Sequence, residues 1–317
     1  KFPWEVCADY GRRFGPVSVF YLNAEPILLL HDAALIEQVL ETDRHSYYKD
    51  NPVGALKPVL TESSPNIANG EDWARKRAAS PLVREYAQGW LAAQAGPFAR
   101  LFSARFLALA SRTLAEPVAL QEQVQRIIFD AFAIATVGYD IGDEAYADFL
   151  TVATAGSHRM LGLLPFGEEL DHHAREARGR WHRVFATALE EARRNPDPNR
   201  PDLVSLVVRM GMPMPDEAFV AELGNVFFGG DFSVPSTLVT AAWCLTNFPD
   251  EAVKLRTALA QLPPEAGAAE VEGCVQLDHV LREAMRYHAA VPLFDRRVLT
   301  DRSATLGGLT LPPNTWV

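Results

Sequence analysis

Cysteine is scarce in this chain: 317 residues hold three, Cys7, Cys244 and Cys274. No two have the spacing of a zinc-ligand pair or a disulfide framework, which excludes a small cross-linked scaffold and points to a reducing compartment, the cytoplasm. Long apolar runs are missing too. No stretch reaches the roughly eighteen residues of a membrane span, and Ile27-Leu28-Leu29-Leu30 is only strand-length. Basic charge is in deficit, 30 Lys and Arg against 40 Asp and Glu, a net charge of -10. That argues against nucleic acid as a partner. Internal repeats, low-complexity tracts and linkers are absent, so one domain is expected across residues 1–317. Also absent are an initiator Met and a signal-peptide pattern. Lys1 reads as lying inside a helix and Thr315-Trp316-Val317 inside a strand. Both ends are therefore expected to be cut, and an upstream anchor stays open.

What is present is mostly helical pattern. The stretch 216–247 dominates it. Asp216 and Glu217 suit a first helical turn, and from Phe219 to Leu245 the residues are apolar on almost every side. Such a helix is expected to be buried, and it would run roughly 45 Å. Gly229, Gly230 and Pro235 break helix rules at its middle, with the polar Asp231 and Ser233 between them. A loosened waist fits a bound group, or simply a proline kink in a core helix. Other helices are predicted over 4–14, 32–40, 71–88, 95–114, 120–139, 143–161, 168–194, 202–210, 249–261 and 277–289. Residues 43–70 and 263–273 read as loops. Strands are predicted at 17–22, 26–30, 296–299, 305–306 and 309–311, the first two as a hairpin. The fold class is mainly α with a small β-sheet subdomain.

Two residue pairs carry chemical meaning. Trp73 and Arg77 stand four apart, so an indole N–H and a guanidinium share one helix face. They form either a donor pair for carboxylates or a surface cation–π contact. Glu283 and Arg286 stand three apart, and their neighbours Val280, Leu281, Ala284 and Met285 predict a buried pair. His172, His173 and His182 read as part of a solvated, charged helix face.

The order of these features resembles the cytochrome P-450 family of haem-thiolate monooxygenases. Trp-x-x-x-Arg precedes a long helix with Gly229-Gly230-Asp231-Phe232-Ser233, where the family has (Gly/Ala)-Gly-x-acid-Thr. Glu-x-x-Arg follows, then Arg296-Arg297 before a strand, and Gly307-Gly308-Leu309-Thr310-Leu311-Pro312. The resemblance spans nearly the whole chain. It implies a P-450-like helical fold around the central helix. It also implies a b-type haem whose carboxylates are held by Trp73, Arg77 and Arg296, with Arg297 as the alternative if the register slips. Gly229 and Gly230 would let the helix approach the porphyrin, Ser233 would stand at the oxygen-activating threonine, and Glu283 and Arg286 would be structural. Phe228, Val291 and Leu293 would line the substrate pocket, and 161–166 its roof. Implied partners are an apolar small organic substrate and a ferredoxin or flavoprotein reductase passing electrons from NAD(P)H.

Two departures stand out. The family's acid before the hydroxyl is here Phe232, and Asp231 stands one residue earlier, about 100° around the helix. Asp231 is a catalytic candidate with Ser233, through an altered relay. The family's iron ligand, a cysteine in a Phe-x-x-Gly-x-x-x-Cys-x-Gly loop, matches none of the three cysteines and is expected beyond Val317. A haem-free scaffold and a peroxide-using or oxidative-coupling enzyme are the alternatives to a monooxygenase.

Overall fold

The computed structural model of the chain describes residues 3–22, 25–49, 60–61, 64–84, 91–113, 116–160, 168–211, 214–263, 266–291 and 294–317. Helix α1 (Pro3–Phe14) leads into a hairpin of β1 (Val17–Leu22) and β2 (Glu25–Leu30), antiparallel with Val17 opposite Leu30. Asp32 caps α2 (Ala33–Glu37) by accepting from the amides of Ala34 and Leu35. The short β3 (Tyr47–Tyr48) pairs antiparallel with β4 (Arg297–Val298), and Trp316 bridges both Ile27 and Arg297. The two ends of the chain thereby share one small sheet. The second hairpin, β5 (Ala304–Leu306) and β6 (Leu309–Leu311), turns through Gly307 and Gly308 at φ 54° and 84°, a left-handed pair that suits glycine.

Between the sheet strands lie the helices. They are α3 (Gly70–Ala79), α4 (Pro81–Arg84), α5 (Leu91–Thr113), α6 (Leu120–Val137), α7 (Gly142–Met160), α8 (Glu168–Arg194), α9 (Leu203–Arg209) and the central helix α10 (Asp216–Asn247). After it come α11 (Pro249–Leu259), α12 (Ala268–Glu272) and α13 (Val275–Tyr287). The helix predicted over 71–88 stops at Ser80, whose ψ of 119° is extended. Pro81 follows, and the residue before a proline is driven out of the helical region. Part of the predicted 263–273 loop is α12, whose first turn is closed by Glu270 accepting from the Gly267 amide at 2.9 Å.

The main core is aromatic, and Phe227 of the central helix sits at its middle. Its ring centroid lies 5.5 Å from Phe129 on α6, and 5.7 Å from Trp181 and 5.2 Å from Phe185 on α8. Such offset and edge contacts add to the area buried. His182, expected on a solvated face, turns inward beside Trp181, with its Nε2 against the flank of Gly224. Burial, helped by the Arg178 charge, pushes its pKa down to about 4.

The central helix runs without a break through Gly229, Gly230 and Pro235. Burial on every side holds only for its first half, where residues 219–225 are all buried beneath α8 and α6. The second half rests on α6 on one side and on α11 and α13 on another, and Phe232, Val234 and Trp243 are 37–47 % exposed. The two glycines at the changeover differ. A Cβ on Gly230 would stand 2.6 Å from the Phe132 ring, whereas one on Gly229 would meet nothing within 4 Å.

Two stability predictions follow from this packing. Gly230→Ala is expected to destabilise the fold by about 1–3 kcal/mol through overpacking against Phe132. Gly229→Ala is expected to stabilise it by up to about 1 kcal/mol through helix propensity. Urea midpoints of the two variants check this. The second concerns pH. Asp231 is fully buried and its pKa is raised from 3.8 to about 7, so its contribution to stability is lost as pH climbs through that range. His182 is depressed from 6.5 to about 4, so its contribution is lost as pH falls through that range. The two slopes oppose each other. Between about pH 4.5 and about pH 6, Asp231→Asn should gain stability relative to wild type by about 2 kcal/mol, and His182→Gln should lose a similar amount.

Candidate functional site

Lys49, beside the start of α3, feels the charges of two other cations, Arg77 in the last turn of that helix and Arg296. Asn69, in the N-cap position, does not use its side chain to cap the helix. Its amide instead clasps Lys49: the Lys49 N–H donates to Asn69 Oδ1 and Asn69 Nδ2 donates to the Lys49 carbonyl, both at 2.9 Å. Lys49 Nζ then donates to the carbonyls of Pro65 and Asn66 at 3.2 Å. Burial lowers the Lys49 pKa first, and the charges of Arg296 and Arg77 lower it further. Arg77 lies over the Trp73 ring, 5.5 Å from its centroid, with both residues open to solvent. Arg296 donates to the Asp295 carbonyl at 2.7 Å. Among the described residues no carboxylate pairs with Lys49, Arg77 or Arg296. Like charges gathered without a counter-charge call for an anionic ligand, and guanidinium and ammonium groups beside an indole N–H suit carboxylates. That donor set fits the propionates of a haem.

The structure therefore brings Trp73, Arg77 and Arg296 to one place and adds Lys49, which the sequence reading missed. Lys49 stands in an irregular stretch with no motif around it, and only the fold sets it against residues 28 and 247 positions away. Arg297 is separated from this cluster in role. It is buried, pairs with Glu25 at 2.7 Å, and lies 4.9 Å over the Trp316 ring, so it serves the sheet.

The central helix presents two faces at its waist. Gly229 is exposed, and Ser233, one turn on, shares its face. Ser233 Oγ donates to the Gly229 carbonyl at 2.7 Å, which leaves the hydroxyl's lone pairs free. Asp231 points the other way. Gln125 Nε2 on α6 donates to Asp231 Oδ2 at 2.7 Å, while Oδ1 has no partner among the described residues. Burial dominates its raised pKa, and burial first, then the Asp231 charge, pushes Tyr146 up to about 12. The expected partnership of Asp231 with Ser233 is thus not formed. Two residues on a helix are about 200° apart, which puts them on opposite sides.

Glu283 and Arg286 do pair, with a bidentate contact at 2.6 and 2.7 Å, but not in the interior. Their side chains are 61 % and 70 % exposed, because α13 packs chiefly through Ala284. The expectation of burial is corrected accordingly. Phe228 is half-buried against the core and 6.2 Å from Phe232, and Val291 is exposed. Leu293 and the expected substrate roof at 161–166 lie outside the described residues. A cleft of about 350 Å³ lies elsewhere, lined by Val19, Glu25, Ile27, Leu28, Arg297 and Trp316 among others. It shares no residue with the cation cluster or the Gly229 face.

Cys7 and Cys244 are partly buried, Cys274 is buried, and all are free thiols. Among the described residues no group of His, Cys, Asp and Glu gathers to hold a metal ion, and no helix is long and apolar enough to cross a membrane.

Solved structures share this fold. A cyanobacterial cytochrome P-450 with retinoic acid bound, CYP120A1, superposes with a TM-score of 0.80 at 16% identity, covering 98% of this chain and 70% of that one. A second cytochrome P-450, CYP102L1, superposes with a TM-score of 0.82 at 16% identity, covering 99% and 76%. At such identity the likeness speaks for the fold. None of the curated proteins compared with the chain matches it. The family model for cytochrome P-450 matches residues 1–317, and the chain belongs to the cytochrome P-450 family.

Proposed function

We propose that this protein is a haem-dependent monooxygenase that inserts one oxygen atom of O2 into an apolar small organic substrate. The observation that carries this reading is the convergence of Lys49, Arg77 and Arg296 without a carboxylate partner among the described residues. A b-type haem answers that charge with its two propionates. When bound, it supplies the redox chemistry that no side chain here possesses. Electrons come from NAD(P)H through a ferredoxin or flavoprotein reductase. Phe228, Val291 and Leu293 contribute to the apolar substrate side. The cyanobacterial neighbour holds retinoic acid, a largely apolar small molecule of the kind proposed here.

The protein's own residues have distinct tasks in this reading. Arg77, Lys49 and Arg296 bind and orient the carboxylates, and Trp73 supports Arg77. Gly229 keeps the open face free of a Cβ. Ser233 moves a proton at Oγ: by rotating about its Cα–Cβ bond, it releases the Gly229 carbonyl and donates toward the open face. Asp231, on the buried face, holds the helix to α6 and takes no part in that transfer. Phe232, at the place of the family's acid, favours a second reading in which the enzyme uses peroxide. Its exposed ring offers no proton.

Arg77→Ala is expected to weaken haem binding by roughly 1.5–3 kcal/mol, the value of a charge-assisted bond. Arg75→Ala should bind haem like wild type, since Arg75 pairs with Asp72 at the surface. Equal haem retention in the two variants, measured by titration of the apoprotein, counts against the site. For Ser233, the measurement is product formed per reduced nicotinamide consumed with a surrogate reductase. Ser233→Ala should keep haem and substrate binding but divert most reducing equivalents to peroxide, and Ser233→Thr should restore coupling. Unchanged coupling in Ser233→Ala removes the residue from the mechanism. Peroxide-supported activity that survives Ser233→Ala supports the second reading.

A further inference from the structure

The fully buried stretch 219–225 of the central helix carries two polar side chains one turn apart, Glu222 and Asn225, which are 3 % and 8 % exposed. Each reaches a serine. Asn225 Nδ2 donates to Ser64 Oγ at 2.7 Å, and Ser80 Oγ donates to Glu222 Oε2 at 2.6 Å. Both serines are themselves buried, at 0 % and 1 %. They are the two ends of one segment. Ser64 also accepts from the Asn66 amide and opens the short turn Pro65–Ile67, whose Pro65 carbonyl, with that of Asn66, holds Lys49 Nζ. Ser80 closes α3, the helix that carries Trp73 and Arg77. Between the two ends, Asn69 clasps the Lys49 backbone.

We propose that Glu222 and Asn225 are positioning residues for the carboxylate-binding cations, pinning the segment 64–80 to the central helix at both ends. This rests on the haem site proposed above. The physical need is plain: Arg77 and Arg296 each repel Lys49, and the three stay near one another without an anion only if the backbone bearing them is held. Two buried hydrogen bonds on a long, core-packed helix supply that hold. Buried polar groups in an apolar helix face are costly unless they are bonded, so their presence here points to a task beyond packing. Glu222 Oε1 remains without a partner among the described residues, and burial raises the Glu222 pKa. The carboxyl therefore tolerates replacement by an amide.

The test uses metal-free protoporphyrin IX and its dimethyl ester, which differ only in the two carboxylates and need no axial ligand. Fluorescence titration of the apoprotein gives both affinities. Wild type is expected to bind the free acid roughly tenfold or more tightly than the ester. In Glu222→Met and Asn225→Leu that ratio should fall toward one, with ester affinity unchanged. Glu222→Gln keeps an oxygen for the Ser80 hydroxyl and should keep the ratio. A ratio left intact in folded Glu222→Met and Asn225→Leu overturns the inference. So does an equal loss of affinity for acid and ester, which is what a merely structural role produces. If either helix variant does not fold, Ser64→Ala and Ser80→Ala leave the helix untouched and are read the same way. A wild type with no preference for the acid overturns the haem site itself, and this inference falls with it.

Discussion

The roll of the central helix about its own axis is the constraint on which the rest depends. Its rotation is set at the waist, where Gly230 lets the Phe132 ring come within the space of a Cβ and Asp231 accepts from Gln125. Both contacts lie on the α6 side. With that side committed, Gly229 and Ser233 turn to the open side, because a helix gives neighbouring residues no independent choice of direction. The aromatic packing of Phe227 against Phe129, Trp181 and Phe185 reinforces the same roll one turn earlier. A site that needs a hydroxyl and a bare backbone facing outward is therefore built from contacts facing inward.

Electrostatics sets the second requirement. Among the described residues many basic side chains find acids nearby, as Arg126 does with Asp130 and Asp143, or Arg180 with Asp148. Among those residues Lys49, Arg77 and Arg296 do not, in a chain whose acids outnumber its bases. Cations brought near one another without a counter-charge are what supports the proposed anion site. It is assembled from β3's flank, α3 and the approach to β4, segments drawn together by the pairing of Tyr47 with Val298. The two ends of the sequence must meet for the cluster to exist.

Much of this was legible in the sequence, and the misses have physical causes. The central helix, its bounds and the glycine pair were readable because apolar periodicity and local propensity govern them. Trp73, Arg77 and Arg296 could be proposed for one site because their order resembles a family's. Lys49 could not be, since its closeness to Arg77 and Arg296 comes from a long-range meeting that no local pattern encodes. Glu283 and Arg286 were expected to be buried from their apolar neighbours, but α13 turns those neighbours only partly inward. The Phe232–Asp231 exchange was visible as a departure. That it places the acid against Gln125, and not merely off register, required the neighbouring helix.

The central claim is that the cation cluster receives the carboxylates of a haem. Arginine footprinting by mass spectrometry, with and without one equivalent of haem, tests it most directly. The account predicts that Arg77 and Arg296 lose reactivity when haem binds, while the surface residues Arg75 and Arg282 do not change. Haem bound with Arg77 and Arg296 still fully reactive would contradict it.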